Sequence, residues 1–234
     1  GNSRQLLISF DDFGKRKLAS VDMEGDLRPL ESDVGSAGIS RPYTSGDFTV
    51  SDNGAYAYTA GGPDRPADVA FGHDDSAIRL TDLNADLLDH KTLGEVREIS
   101  WRSSVGDHDI YGWLVTPPGF DEAQQYPLLL EIHGGPFTAY GPHFSTEVQL
   151  YAAAGYVVFY TNPRGSTSYG YEFANEIHHN YPSQDYDDLM SGVDAVIDMG
   201  FIDEEQLFVT GGSGGGVLTA WIVGNTDRFA AAAV

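Results

Sequence analysis

Hydrophobic and polar positions follow two different patterns along this chain, and the change falls near Glu95. Before it, short β-rich runs are cut by turns. Arg4-Gln5-Leu6-Leu7-Ile8-Ser9-Phe10 closes on Asp11-Asp12, and the alternating Lys17-Leu18-Ala19-Ser20-Val21-Asp22 ends at Gly25-Asp26. Phe48-Thr49-Val50 leads through Asp52-Asn53-Gly54 into Ala55-Tyr56-Ala57-Tyr58-Thr59, which predicts a β-hairpin because Asn-Gly supplies the backbone conformations of a tight turn. Leu27-Arg28-Pro29-Leu30 and Ile78-Arg79-Leu80-Thr81 each follow an acidic turn. Their offset of about 50 residues is the scale of a four-stranded propeller blade, although a generic antiparallel sheet fits as well.

After Glu95 the runs lengthen. Val96–Trp101 and Ile110–Val115 flank a turn at Ser104-Val105-Gly106-Asp107 and predict a strand pair. Pro127–His133, Tyr156–Tyr160 and Leu207–Thr210 are nearly continuous apolar stretches, as expected of strands buried on both faces of a parallel sheet. Between the last two, Tyr186, Leu189, Val193, Val196 and Ile197 recur at helical spacing. The helix is expected over 183–199, with Ser183 as N-cap and Gly200 as stop. Asp185, Asp187 and Asp188 read as a solvated helix start, favoured there by the helix dipole. Strand–helix–strand alternation predicts an α/β sheet with helices on both sides.

Composition narrows the function classes. Of 234 residues 41% are apolar, an ordinary globular share, and no run of about 18 apolar residues predicts a membrane span. Cysteine is absent, which excludes disulfides, thiol nucleophiles and thiolate metal sites. The net charge of −22 repels phosphate backbones and argues against nucleic-acid binding. The acid is dispersed and mostly Asp, and lysine is confined to Lys15, Lys17 and Lys91, a balance that fits either a salty habitat or a merely acidic surface. Gly1-Asn2-Ser3-Arg4-Gln5 has no starting Met and no signal-peptide core, so it reads as a cut end. The compartment is therefore not set by the sequence, with the cytoplasm favoured.

The chemistry is concentrated in Thr210-Gly211-Gly212-Ser213-Gly214-Gly215-Gly216. This G-x-S-x-G follows a buried strand and precedes an apolar helix from Val217, the context of a nucleophile elbow. Gly211 and Gly215 must be small because backbone crowds the turn, and Ser213 would stand at a helix N-terminus that favours developing negative charge. A Walker loop needs Lys after its last Gly, where Val217 stands here, and the Rossmann fingerprint belongs to a first βα unit rather than a late one. His133-Gly134-Gly135-Pro136 follows the Leu128–Ile132 strand, where hydrolases place a loop that donates one oxyanion N–H. Since the triad His follows Ser in this fold, His133 reads as a brace for that loop. His178-His179 lacks the spaced partner of a metal site, so no metal and no organic cofactor is expected.

Leu129–Pro136, the block Asn162-Pro163-Arg164-Gly165-Ser166-Thr167-Ser168-Tyr169-Gly170, and Gly211–Gly215 together resemble the prolyl oligopeptidase family of serine peptidases, in its acylaminoacyl-peptidase and dipeptidyl-peptidase branch. Asp187–Asp194, Trp221–Gly224 and Thr226–Phe229 are similar to the same branch, and Thr81-Asp82-Leu83-Asn84 resembles a propeller exit. The resemblance implies the N-terminal part of an α/β-hydrolase sheet, preceded by β strands from the last blades of a β-propeller. Residues 1–96 would be the C-terminal blades plus linker, and 97–234 an incomplete catalytic domain, with the active site between the two. It further implies a serine-type peptidase acting on short peptides, with Ser213 as nucleophile and the N–H groups of Gly214 and Gly135 as oxyanion donors. Arg164 would organise its loop. The resemblance leaves association of the parent into a homo-oligomer open.

The chain departs from the family at Gly214 and Val217, where aromatic residues are frequent. Only 21 residues follow Ser213 and none is His, so the triad Asp and His are expected beyond this chain and the fragment alone is expected to be inactive. Two other readings share these motifs: an esterase or lipase on the same fold, and a non-catalytic binding module.

Overall fold

Alternation of buried and exposed positions along short strands shapes the N-terminal part of the computed structural model, which describes residues 4–36, 38–74 and 76–234. Gly1-Asn2-Ser3, part of the segment read as a cut end, lies outside the described residues. The chain divides into two units, one running up to Thr92 together with Gly141–Ser145, the other comprising Leu93–Tyr140 and Thr146–Val234.

The first unit is antiparallel throughout. Its strands are β1 (Gln5–Asp12), β2 (Lys15–Asp22), β3 (Leu27–Val34), β4 (Phe48–Val50), β5 (Tyr56–Gly62), β6 (Arg65–His73) and β7 (Ser76–Arg79), followed by the short helix α1 (Ala85–Leu88). They order as β1-β2-β3-β5-β6-β7, with β4 on β5. β3 and β5 share only the pair Val34–Ala60, so a three-stranded and a four-stranded set meet at one bridge. The expected hairpin is present, with Phe48 opposite Tyr58 and Val50 opposite Tyr56. Inward residues Leu18, Val34, Tyr56, Tyr58, Ala60 and Ala70 form the core. The hydroxyls of Tyr56 and Tyr58 donate to the Glu31 carboxylate at 2.6 and 3.1 Å. His143 is buried in this unit with no hydrogen-bond partner for either ring nitrogen among the described residues.

The second unit is an α/β sheet. It contains β8 (Glu95–Arg102), β9 (Asp109–Thr116), β10 (Tyr126–Ile132), α2 (Thr146–Ala153), β11 (Val157–Asn162), α3 (Tyr171–Asn175), α4 (Gln184–Ile197), β12 (Ile202–Gly211), α5 (Gly214–Asn225) and β13 (Ala231–Ala233). The order is β13-β12-β10-β11-β9-β8. The four strands from β13 to β11 are parallel, and β9 and β8 are antiparallel additions. Leu128, Leu130 and Ile132 of β10 join Leu189, Val193 and Val196 of α4 and Leu218 and Ile222 of α5 in one core. Side chains alternate across a strand, so intervening positions face the opposite side, against which α2 packs at β11 and β9. Among the described residues no helix is long and apolar enough to cross a membrane.

The start of α4 corrects one expectation. Asp185 and Asp188 are buried, at 1% and 0% exposure, rather than solvated. Ser183 holds the N-cap position but its hydroxyl donates to the Asn180 carbonyl. The capping work falls to Asp185, whose Oδ1 accepts the N–H groups of Ser183 and Tyr186 at 2.5 and 3.1 Å.

Buried acids are few: among the described residues they are Asp68, Glu131, Asp185 and Asp188. Most of the 35 acidic side chains therefore repel one another at the surface, against 13 Lys and Arg. Raising NaCl from 0.1 to 1 M shortens the Debye length from about 10 to about 3 Å. The melting temperature is expected to rise by several degrees across that range, as read by circular dichroism; a flat or falling curve would show that surface repulsion is not a significant term.

Candidate functional site

β10 and β12 are parallel and in register from Leu128–Leu207 to Ile132–Gly211, so their chains leave the sheet side by side. The chain passes from β10 to β11 and then back past β10 to β12, a reversal of direction at which open α/β sheets form crevices. The loop 133–136 follows β10 at this edge, and Ser213 follows β12.

Ser213 is exposed and has φ 57° and ψ −119°, a conformation that L side chains avoid and that costs about 1–3 kcal/mol. Packing around it enforces the turn. A Cβ on Gly215 would overlap the carbonyl oxygen of Ile132, and one on Gly211 would come within 2.5 Å of the Gly215 carbonyl group. The expectation that these two positions must be glycine is thus met by contacts with named backbone atoms. Helix α5 begins at the next residue, with the Val217 N–H on the Ser213 carbonyl at 3.1 Å. The Gly214 N–H opens that helix and lies outside its hydrogen-bond ladder.

The sequence-selected residues come together here. A Cβ added to Gly214 would lie 3.1 Å from the carbonyl carbon of Gly135 and 3.2 Å from its nitrogen and oxygen. Backbone therefore meets backbone, with no side chain between the two loops. An exposed hydroxyl at a helix N-terminus beside such N–H groups is an arrangement suited to stabilising an oxyanion, provided a base removes the hydroxyl proton.

His133 is 4% exposed. Its Nδ1 is 2.7 Å from the Gly134 carbonyl oxygen and its Nε2 is 2.9 Å from Ser166 Oγ, as fits a loop brace. The other histidines of this unit are engaged elsewhere: His108 with Glu176 at 2.9 Å, and His178 against His179 with ring centroids 4.0 Å apart. Among the described residues no cluster of three or more His, Asp or Glu side chains is placed to hold a metal ion.

Behind the site, Arg164 and Asp188 form a buried pair. Asp188 Oδ2 accepts the Arg164 backbone N–H at 2.8 Å and its Nε–H at 2.9 Å, while Oδ1 accepts from Nη2 at 2.7 Å and from Ser103 Oγ at 2.6 Å. Arg164 also donates to the Val105 carbonyl and to Gln184 Oε1. Burial works against the guanidinium charge, but Asp188 outweighs it and leaves the Arg164 pKa above its usual value. Sequence reasoning missed Ser166 as the partner of His133, and it missed Tyr181, whose hydroxyl donates to the Gly214 carbonyl at 2.5 Å. Burial, with Asp185 nearby, pushes the Tyr181 pKa up and keeps that donor protonated.

Burial lowers the pKa of both His133 and His143 to about 4, with Arg16 adding to the effect at His143. A depressed histidine binds fewer protons folded than unfolded, so its contribution is complete above about pH 6.5 and is lost as pH falls toward 4. Each shift corresponds to about 3 kcal/mol by pH 4. Burial raises the pKa of Asp11 and Asp185, which acts in the opposite sense at the acid end. Urea midpoints are expected to fall steadily between pH 6.5 and 4.5, and His143→Gln is expected to flatten that slope; an unchanged slope would contradict this assignment.

Residues 142–234 match the family model described as the prolyl oligopeptidase family. The uncharacterized peptidase YuxL of Bacillus subtilis is 36% identical over 235 residues, 99% of this chain and 34% of the relative. A probable dipeptidyl-peptidase 5 of Aspergillus clavatus is 30% identical over 231 residues, 96% of this chain and 31% of that protein. The solved acylaminoacyl peptidase of Pyrococcus horikoshii superposes with a TM-score of 0.83 at 26% identity, covering 97% of this chain and 35% of that one. The chain thus spans about a third of the length of the curated relatives it matches.

Proposed function

We propose, from the premise that this chain belongs to the prolyl oligopeptidase family, that Ser213 is the nucleophile of a serine-type peptidase acting on short peptides. Residues 1–96 would then be propeller strands and linker, and 97–234 the nucleophile-bearing part of the catalytic domain. One observation carries the reading: Ser213 is held at φ 57° where a parallel strand turns into a helix, with Gly214 against Gly135. The strained conformation lifts a hydroxyl to the head of α5.

In the proposed reaction a base takes the Ser213 hydroxyl proton as Oγ attacks the peptide carbonyl carbon. The N–H groups of Gly214 and Gly135 bind the resulting oxyanion. Collapse breaks the C–N bond, the amine leaves with the proton from the base, and water hydrolyses the Ser213 ester by the same steps. The triad His follows the Ser in chain order in this fold and no His follows Ser213 here, so we place the base outside residues 1–234 of the whole protein. Esterase activity on the same machinery is the second reading, since an ester carbonyl would meet the same groups. A fluorophosphonate is expected to label Ser213 of the whole protein, as located by peptide mass spectrometry. Absence of an adduct there would remove the nucleophile assignment. Comparing ester with amide turnover then separates the two activities.

A further inference from the structure

The Gly135 N–H and the Gly134 carbonyl belong to one peptide unit. That unit is trans, so its N–H and C=O point to opposite edges of a common plane, and a group that grips the oxygen also aims the hydrogen. A glycine on each side leaves this peptide unusually free to rotate, and Gly135 itself has φ 118°. The oxygen is gripped, with His133 Nδ1 2.7 Å away. We infer that His133, held by Ser166, is a positioning residue that aims the Gly135 N–H at the oxyanion, a role that rests on the nucleophile reading of Ser213 above.

The carbonyl of Gly134 fixes the direction of the bond that carries the argument. A carbonyl oxygen can only accept, so Nδ1 carries the hydrogen. In a neutral imidazole Nε2 is then an acceptor, and the Ser166 hydroxyl 2.9 Å away is the donor in reach. That hydroxyl has one hydrogen, which it shares between Nε2 and the Pro163 carbonyl oxygen 2.6 Å away, and the Ser166 N–H donates to the same carbonyl at 3.0 Å. The turn 163–166 is anchored in its turn by the Arg164 N–H on Asp188. The ring packs edge-on against Tyr140, with centroids 5.2 Å apart, and its burial keeps out water that would replace a lost bond. A chain of hydrogen bonds thus runs from α4 through the 163–166 turn and His133 to the peptide that carries the Gly135 donor.

A group that aims an oxyanion donor acts in the transition state and leaves substrate binding alone. In the whole protein assayed on a peptide anilide, His133→Ala is expected to lower kcat by about 100-fold, on the scale of losing one oxyanion donor, with KM changed less than about twofold. Ser166→Ala, a small truncation, is expected to lower kcat about tenfold with the same KM pattern and with the melting temperature read alongside. His133→Asn places an N–H where Nδ1–H stood, and it is expected to recover most of the activity lost in His133→Ala. Affinity for a peptide boronate, which forms an oxyanion-like adduct, should fall in step with kcat/KM. The inference is overturned if Ser166→Ala and His133→Ala keep kcat within twofold, if KM rises as much as kcat falls, or if His133→Asn is no better than His133→Ala. Turnover that survives Ser213→Ala would instead overturn the nucleophile reading, whereas an inactive Ser213→Ala beside fully active His133 and Ser166 variants removes only the positioning role.

Discussion

Ser213→Ala is expected to lower kcat of the whole protein by on the order of 10⁶, the scale seen when the nucleophile of a hydrolase is removed. Substrate binding should be little changed, because the hydroxyl is needed for the chemical step and not for holding the bound substrate. Ser213→Gly separates chemistry from conformation at the same position. Any side chain here sits at φ 57° and ψ −119°, and alanine keeps the Cβ that makes this unfavourable. Glycine does not, so it should be equally inactive yet more stable than the parent by about 1 kcal/mol. Peptide-anilide kinetics together with urea melts of both variants check the pair. An active Ser213→Ala would remove the catalytic reading, and a Ser213→Gly less stable than Ser213→Ala would show that the turn is not under strain.

Asp188→Ala has the largest expected effect on stability. It strips the 3% exposed Arg164 of its counter-ion and leaves three Arg164 donor groups and the Ser103 hydroxyl without the acceptor they now use. Breaking a buried pair from one side costs about 3–5 kcal/mol, a large part of the total for a folded domain. The desolvation cost of the charges means that the pair itself need not be stabilising. Joint replacement by apolar side chains, Arg164→Met with Asp188→Leu, is therefore expected to recover much of the loss. Denaturant midpoints for the single and double variants decide this, and a mild Asp188→Ala would mean that Arg164 finds another acceptor, with Glu176 at 3.5 Å the nearest ion-pair candidate.

These two residues also mark what the chain discloses before folding and what it withholds. The strands β10, β11 and β12 were legible because a parallel sheet buries both faces and leaves continuous apolar runs. The elbow was legible because its glycines stand at fixed spacing around Ser213, although only Gly211 is imposed from within the turn and Gly215 is imposed by Ile132 of the neighbouring strand. Asp188 was not. An aspartate near a helix start reads as solvated unless its partner is known, and that partner, Arg164, arrives from a different loop. Ser166 and Tyr181 were hidden for the same reason, since their bonds to His133 and Gly214 span 33 positions each and leave no periodic trace.

The meeting of Gly135 with Gly214 has a consequence for how such a protein can diversify. Where two loops touch through main chain alone, no side chain at that junction can favour one acyl group over another. Discrimination must then reside in the surrounding walls, at positions such as the exposed Phe137 and Val217, which are free to vary without disturbing the reacting apparatus. Libraries randomised there should redirect preference while leaving intrinsic reactivity intact, and the reacting centre offers no comparable handle for selection.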